Sequence, residues 1–118
     1  MDKLTDFTND RYFKKLFLIT SLTSLLFFIL AFLRHFLLQS NAYDLGLFDQ
    51  WIWLTSRNLP SFSTMTGLHM FADHGAWTLY IISMVYKLIP EINILFLSQS
   101  LSLCFTTIPL WFLCRKNN

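Results

Sequence analysis

The sequence predicts an all-α membrane protein with two transmembrane helices and an outer segment of juxtamembrane amphipathic helices. Two uncharged, mostly apolar runs at 16–33 and 92–114 carry this prediction. Even the shorter run reaches about 27 Å as a helix, close to the thickness of the hydrocarbon core of a bilayer. The composition agrees, because 54% of the residues are hydrophobic and only 14% are charged, which is too little charge for the surface of a soluble helical domain.

Basic residues lie outside the two apolar runs, towards the ends of the chain. They are Lys3, Arg11, Lys14 and Lys15 before the first run, and Arg115 and Lys116 after the second. By the positive-inside rule, both termini are then cytoplasmic and the segment between the runs lies outside. The formal net charge of +2 is too small to indicate a nucleic acid as a partner.

These observations divide the chain into five parts. They are a cytoplasmic or interfacial lead-in at 1–15, a transmembrane helix at 16–33, an extracytoplasmic segment at 34–91, a transmembrane helix at 92–114 and a cytoplasmic tail at 115–118. Arg34 and His35 follow the first run in place of a small-residue cleavage site, so we expect this run to be retained as an anchor and not removed as a signal peptide.

The middle segment contains two stretches with helical spacing, which predict juxtamembrane helices at about 44–56 and 75–89. The uncharged part of the second stretch is 12 residues long, about 18 Å as a helix, which is short of a bilayer crossing. A locally thinned bilayer would still admit it. Three transmembrane helices are therefore the alternative architecture.

Individual side chains of these two helices have expected environments. Asp44 is placed to cap the first helix, and Trp51, Trp53 and Trp77 are expected to anchor the segment at the membrane interface. The second helix has an apolar face formed by Trp77, Tyr80, Ile81, Met84 and Leu88.

Both predicted transmembrane helices carry small or polar residues at helical spacing. The set in the first is Thr20, Thr23 and Ser24, and the set in the second is Gln99, Ser102, Thr106 and Pro109. Such residues in apolar helices favour packing against other helices over exposure to lipid. We therefore expect the partners of the chain to be membrane lipid and other transmembrane helices.

The first candidate for chemistry is the acidic pair within the stretch from Tyr43 to Trp51. Asp44 and Asp49 are candidate catalytic carboxylates. Side chains five residues apart diverge by about 140° around a helix, so only one of them is expected to face a site. The alternative interpretation is that Asp44 caps the helix and Asp49 lies in solvent.

The second candidate is the cluster His69, Asp73 and His74. On a helix, His69 and Asp73 would be neighbours at i and i+4 and would be suited to share a cation. No cysteine lies nearby to complete a zinc site, so a loosely held divalent cation shared with Asp44 fits better. The alternative is that the histidines are hydrogen-bonded to the loop or to lipid headgroups.

Three short stretches of the sequence resemble a known family. They are 41–50, which reads Asn-Ala-Tyr-Asp-Leu-Gly-Leu-Phe-Asp-Gln, then Gly67-Leu68-His69, and Asp73-His74. They resemble the multi-pass predicted membrane proteins classed as domain of unknown function 2079, and the similarity covers about Asp44 to Lys116. Where that family usually continues with Phe and then Ser-Pro, this chain has Gly75-Ala76-Trp77.

The layout of that family is similar to the GT-C glycosyltransferases, which use polyprenyl-phosphate sugar donors and carry an essential acid near the start of the first outer loop. The resemblance implies that Asp44 is this acid, with Asp49 as the alternative, acting as a general base or a cation ligand. It also implies an integral protein of a bacterial inner or plasma membrane.

Three functions remain open at this point. GT-C enzymes have many more spans, so we expect the chain to be the N-terminal module of a GT-C-like glycosyltransferase that is inactive alone. The alternative is a small non-catalytic membrane protein that binds lipid or a partner's transmembrane helices. A degraded remnant without function is the third interpretation.

Overall fold

The structure is a computed structural model that describes residues 10–116. Its helices are α1 Arg11–Phe36, α2 Ala42–Ser56, α3 Met70–Asp73, α4 Thr78–Tyr86, α5 Asn93–Phe105 and α6 Thr107–Lys116. The only extended pairing within this range is an isolated antiparallel bridge between Phe62 and His69. The all-α prediction is therefore confirmed for the described residues. The expected lead-in before residue 10 and the tail beyond residue 116 lie outside them.

Two helical stretches in the described range are long and apolar enough to cross a membrane. One is α1, with 26 residues, and the other is Asn93–Arg115, with 23 residues, which combines α5 with α6. Only 11% and 17% of their most apolar windows are buried, whereas the core helix of a soluble protein would be mostly buried. The helix α4 has nine residues and reaches about 14 Å. The structure therefore supports two transmembrane helices and not the three-helix alternative.

The second of these stretches is interrupted at Thr106, between α5 and α6. Pro109 explains the interruption, because proline lacks the N–H that would bond to the Phe105 carbonyl and its ring crowds that carbonyl. Two threonine hydroxyls donate to carbonyls near the break: Thr106 to Leu103 at 2.6 Å and Thr107 to Cys104 at 2.8 Å. These side-chain donors bond to carbonyls of the turn before the break, as an apolar surrounding favours.

The chain divides into two compact units. The first unit comprises Met1–Leu30 with Gln99–Asn118, and the second comprises Ala31–Ser98.

In the first unit, α1 runs antiparallel to α5 and α6. The ring centroids of Phe17 and Phe105 are 5.7 Å apart, those of Phe13 and Trp111 are 5.4 Å apart, and Asp10 forms an ion pair with Arg115. Residues early in α1 thus contact residues late in the second stretch, as an antiparallel pair requires.

Small side chains form the contact face of this helix pair. Thr20, Ser24, Ser100 and Cys104 are all buried, and small residues let helix backbones approach closely in an apolar solvent. The Thr20 hydroxyl lies 3.0 Å from that of Thr107. Because Thr107 donates its proton to the Cys104 carbonyl, Thr20 is the donor in this interhelical bond. The expectation that the Thr20 face meets protein is confirmed.

The polar residues predicted to form a packing face on the second stretch do not take part in this contact. Gln99, Ser102 and Thr106 are exposed. The buried positions Ser100 and Cys104 are shifted by one or two residues from them, which is a rotation of about 100° or more around the helix. The sequence pattern identified a polar face but not the face that meets α1.

The second unit is organised around Trp51, which has no exposed surface. Its core comprises Leu47, Trp51, Ile52, Met70, Leu79 and Tyr86, so α2 packs against α4, and α3 contributes Met70 to the same core. The interpretation of Trp51 as an interfacial anchor is wrong, because the residue is in the core. Trp53 and Trp77 are exposed, as an anchor would be.

The helix α4 buries the face opposite to its most apolar one. Leu79, Ser83 and Tyr86 are buried, whereas the predicted apolar face is exposed. That face consists of Trp77, Tyr80, Ile81, Met84 and Leu88. An outward apolar face is the arrangement of a helix that lies in a membrane interface.

We predict that replacing Thr20 with Val lowers the free energy of unfolding of the detergent-solubilised chain by about 0.6 kcal/mol, the average for an interhelical hydrogen bond between transmembrane helices. The reason is the loss of the bond to Thr107. Thermal unfolding is the measurement, and Thr23→Val is the control, because the Thr23 side chain makes no interhelical bond in the described residues. An equal effect of both substitutions would contradict the prediction.

Candidate functional site

Asp44 lies in the first turn of α2 and is exposed. The helix cap is not Asp44, as expected from the sequence, but Asn41, whose side-chain oxygen accepts the backbone N–H of Tyr43 at 3.3 Å. The correction follows from geometry, since a capping residue must precede the helix and α2 begins at Ala42. Within residues 10–116 the Asp44 carboxylate has no hydrogen bond or ion pair. It is therefore open to a ligand.

Asp49 has a different environment on the same helix. It is half-buried and accepts a short hydrogen bond from the hydroxyl of Tyr86 on α4. Burial, together with this bond, raises the pKa of Tyr86 above its usual range, so the phenol keeps its proton and remains the donor. The expected divergence of the two carboxylates is observed: Asp44 faces outward and Asp49 ties α2 to α4.

Gln50 holds the loop that follows α2. Its side-chain oxygen accepts the Thr64 backbone N–H at 3.0 Å and the Ser63 hydroxyl at 3.2 Å, while its amide nitrogen donates to the Thr64 hydroxyl at 3.0 Å. Sequence reasoning did not assign a role to Gln50 or to Tyr86. The partners of both lie more than ten residues away, and no local pattern indicates such contacts.

The cluster His69, Asp73 and His74 does not form the expected pair at i and i+4. His69 precedes α3 and caps it, because its Nδ1 accepts the Phe71 N–H at 3.3 Å. The Asp73 carboxylate lies 3.0 Å from Nδ1 of His74 instead. A single-turn helix that starts after His69 does not carry its side chain onto the face of Asp73.

Aromatic rings also occupy the surroundings of both histidines. The His74 ring centroid is 5.3 Å from that of Phe48 and 5.8 Å from that of Trp51. Within the described range, no group of three or more His, Cys, Asp or Glu side chains is placed to hold a metal ion. The structure brings together Asp73 and His74, and the assignment of a divalent cation to this cluster stays a prediction.

A cavity of about 410 Å³ lies in the second unit, and neither Asp44 nor Asp49 lines it. It is an open cleft bordered by the end of α2, the turn after it and α4, and its lining includes His69, Tyr80, Ser83 and Lys87. Its size is within the range of small-molecule sites. Of the predicted site residues only His69 lines it. Tyr80, Ser83 and Lys87 share a face of α4 at spacings of three and four, which was the available signal for this site.

We predict that Tyr86→Phe lowers the free energy of unfolding by about 1–3 kcal/mol, because the half-buried Asp49 loses a hydrogen-bond donor. The control is Tyr80→Phe, since the exposed Tyr80 hydroxyl has no partner among the described residues. Above about pH 10 the unfolded chain loses the Tyr86 proton while the folded chain keeps it, so the unfolding free energy of the parent falls with rising pH. Denaturant unfolding as a function of pH should show a smaller decline in Tyr86→Phe. An identical decline would contradict the assignment.

Comparison with known proteins identifies the family of the chain but no reaction. No curated protein and no solved structure matches the chain. A family model described as a predicted membrane protein, DUF2079, matches residues 34–118. This range contains the α2 acids, the α3 cluster and the second membrane-crossing stretch, and it is well over half of the chain. The chain therefore belongs to the DUF2079 family of predicted membrane proteins.

Proposed function

We propose that the chain is the N-terminal module of a GT-C-like glycosyltransferase that takes sugar from a polyprenyl-phosphate donor and is inactive alone. The observation that carries the proposal is the exposed, unpartnered Asp44 at the start of the first helix after α1. Its position corresponds to the essential acid that the sequence resemblance implies. The range that the family model matches includes this residue.

Asp44 is the proposed chemical group, acting as general base or cation ligand at the acceptor. Asp49 is the weaker candidate, since its carboxylate is already engaged by Tyr86. The pair Asp73 and His74 offers oxygen and nitrogen atoms of the kind that divalent cations take as ligands, and the assignment of a cation to this pair stays a prediction.

The proposed topology follows from the basic flanks of the membrane-crossing stretches. Both termini are cytoplasmic and Asp44 is outside, in a bacterial inner or plasma membrane. The antiparallel contact of α1 with α5 and α6 supports a return of the chain to its starting side.

A second candidate function is a non-catalytic membrane protein that binds lipid or a partner's transmembrane helices. The specific observation in its favour is the exposed polar row Gln99, Ser102 and Thr106 on the second membrane-crossing stretch. Polar groups that face lipid are unfavourable, and a neighbouring helix would supply hydrogen-bond partners.

We predict that Asp44→Asn lowers sugar transfer by about 10²–10⁴-fold, the usual contribution of a general acid or base, in membranes that contain the chain with its complete assembly. The assay follows radiolabelled sugar leaving a panel of polyprenyl-phosphate-linked hexoses and pentoses. Glu91→Gln is the matched control, because Glu91 is an exposed carboxylate of the same unit. Unchanged transfer in Asp44→Asn, at equal protein level, would exclude the proposed role.

The helix-binding function predicts a contact at the polar row of α5. A photo-crosslinking residue at Ser102 should give one defined adduct with another membrane protein or a second copy, whereas the same residue at Leu22, an exposed apolar position, should react with lipid. Gel mobility and mass spectrometry identify the adducts. The same product distribution at both positions would argue against a helix partner.

A further inference from the structure

The cavity of the second unit has an uneven distribution of charge. Lys87 and His69 line it, and no carboxylate does. A cavity with a cationic side chain and no anionic one attracts acidic ligands and disfavours metal ions. It is also separate from Asp44, so its ligand does not depend on the proposed transfer reaction.

Several hydroxyl groups of the lining have their protons committed to the protein. Thr55 donates to the Trp51 carbonyl at 2.8 Å, and Ser83 donates to the Tyr80 carbonyl at 2.7 Å. Ser56 makes the same kind of bond to the Trp53 carbonyl at 2.7 Å. Since each hydroxyl has one proton, these oxygens have only lone pairs left for a ligand. They are acceptors.

Ser61 extends this arrangement. Its hydroxyl oxygen lies 2.6 Å from that of Thr55, and because the Thr55 proton is used on Trp51, Ser61 is the donor. Toward a ligand, these four hydroxyl oxygens can therefore only accept hydrogen bonds. They suit a ligand that itself carries hydroxyl groups to donate.

Three further side chains of the lining offer hydrogen-bond donors. Lys87 is exposed and carries an ammonium group, and the Tyr80 hydroxyl has no partner within the described residues. Nδ1 of His69 accepts the Phe71 N–H, so the ring proton resides on Nε2, which is a donor. These three donors, of which the Lys87 ammonium is positively charged, match the oxygens of a phosphate.

We propose that this cavity binds a phosphorylated polyol, with Lys87 and His69 at the phosphate and the acceptor hydroxyls at the polyol. Exposed apolar side chains at its edge favour a lipid as the source. Met84 and Leu59 line the cavity and are 72% and 47% exposed, and Leu88 beside them is 82% exposed. A phosphoglycerol headgroup in the cavity would leave its acyl chains against this surface.

The test measures binding of defined probes to the full chain purified in a polyoxyethylene detergent. The probes are short-chain phosphatidylglycerol, phosphatidic acid and phosphatidylcholine, and soluble glycerol 3-phosphate. We expect phosphatidylglycerol to bind best and phosphatidylcholine to bind least. Tighter binding of phosphatidylglycerol than of glycerol 3-phosphate assigns a lipid source, and the reverse assigns a free phosphorylated polyol. Equal binding of all three lipids would overturn the proposal.

One substitution and its matched control test whether the ligand binds in the cavity. Lys87→Gln should weaken phosphatidylglycerol binding by about 10- to 100-fold, the loss expected for one charged hydrogen bond. Arg57→Gln is the matched control, because Arg57 is an exposed cation of the same unit that does not line the cavity. Equal effects of the two would indicate unspecific attraction and would overturn the proposal.

Ser83→Ala tests the polyol half of the site. It removes one acceptor oxygen with little change in volume, so we expect the preference for phosphatidylglycerol over phosphatidic acid to fall while phosphatidic acid binding is kept. An unchanged preference for phosphatidylglycerol over phosphatidic acid would contradict the assignment of the hydroxyl oxygens as acceptors for the polyol. Loss of sugar transfer in Asp44→Asn has no bearing on these results, so the two proposals fail independently.

Discussion

The packing of α2 against α4 around Trp51 is the interaction on which every candidate functional residue of the second unit depends. The buried indole fixes the rotation of α2 about its axis, and this rotation turns Asp44 outward while Asp49 reaches Tyr86. It also brings the end of α2 against α4, where the cavity forms. The separation of an open carboxylate from an engaged one is thus a consequence of core packing. No property of the two aspartates themselves produces it.

The sequence predicted the features that depend on length and on period. Residues 16–33 are helical, and so are residues 92–114 apart from Ile92 and Thr106, because apolar runs of that length have few other stable forms in a bilayer. The divergence of Asp44 and Asp49 follows from 3.6 residues per turn. The predicted apolar face of α4 is exposed, as in a helix that lies in a membrane interface. The sequence did not predict that Leu79, Ser83 and Tyr86 on the opposite face are buried. The helical periodicity of apolar residues indicates that two faces of a helix differ. In a protein surrounded by lipid, however, the more apolar face is not necessarily the one that faces the core, and in α4 it is the exposed one.

The parts of the site that sequence analysis missed depend on contacts between distant residues. Gln50 bonds to the loop at Ser63 and Thr64, 13 and 14 residues further along the chain. Lys87 and His69 line one cavity, which forms only after α2 and α4 have packed. His69 was expected on a helical face, yet it serves as a cap because α3 is a single turn. The stretch shared with the DUF2079 family therefore contains structural residues as well as an open acid, and membership alone does not separate them.

The interruption at Thr106 gives the second membrane-crossing stretch a property that α1 lacks. Because the Thr106 and Thr107 hydroxyls bond to the Leu103 and Cys104 carbonyls beside the break, a change of the angle between α5 and α6 would leave these carbonyls with a donor in the hydrocarbon. Small adjustments to bilayers of different thickness would then be concentrated at this interruption, which the continuous helix α1 does not have.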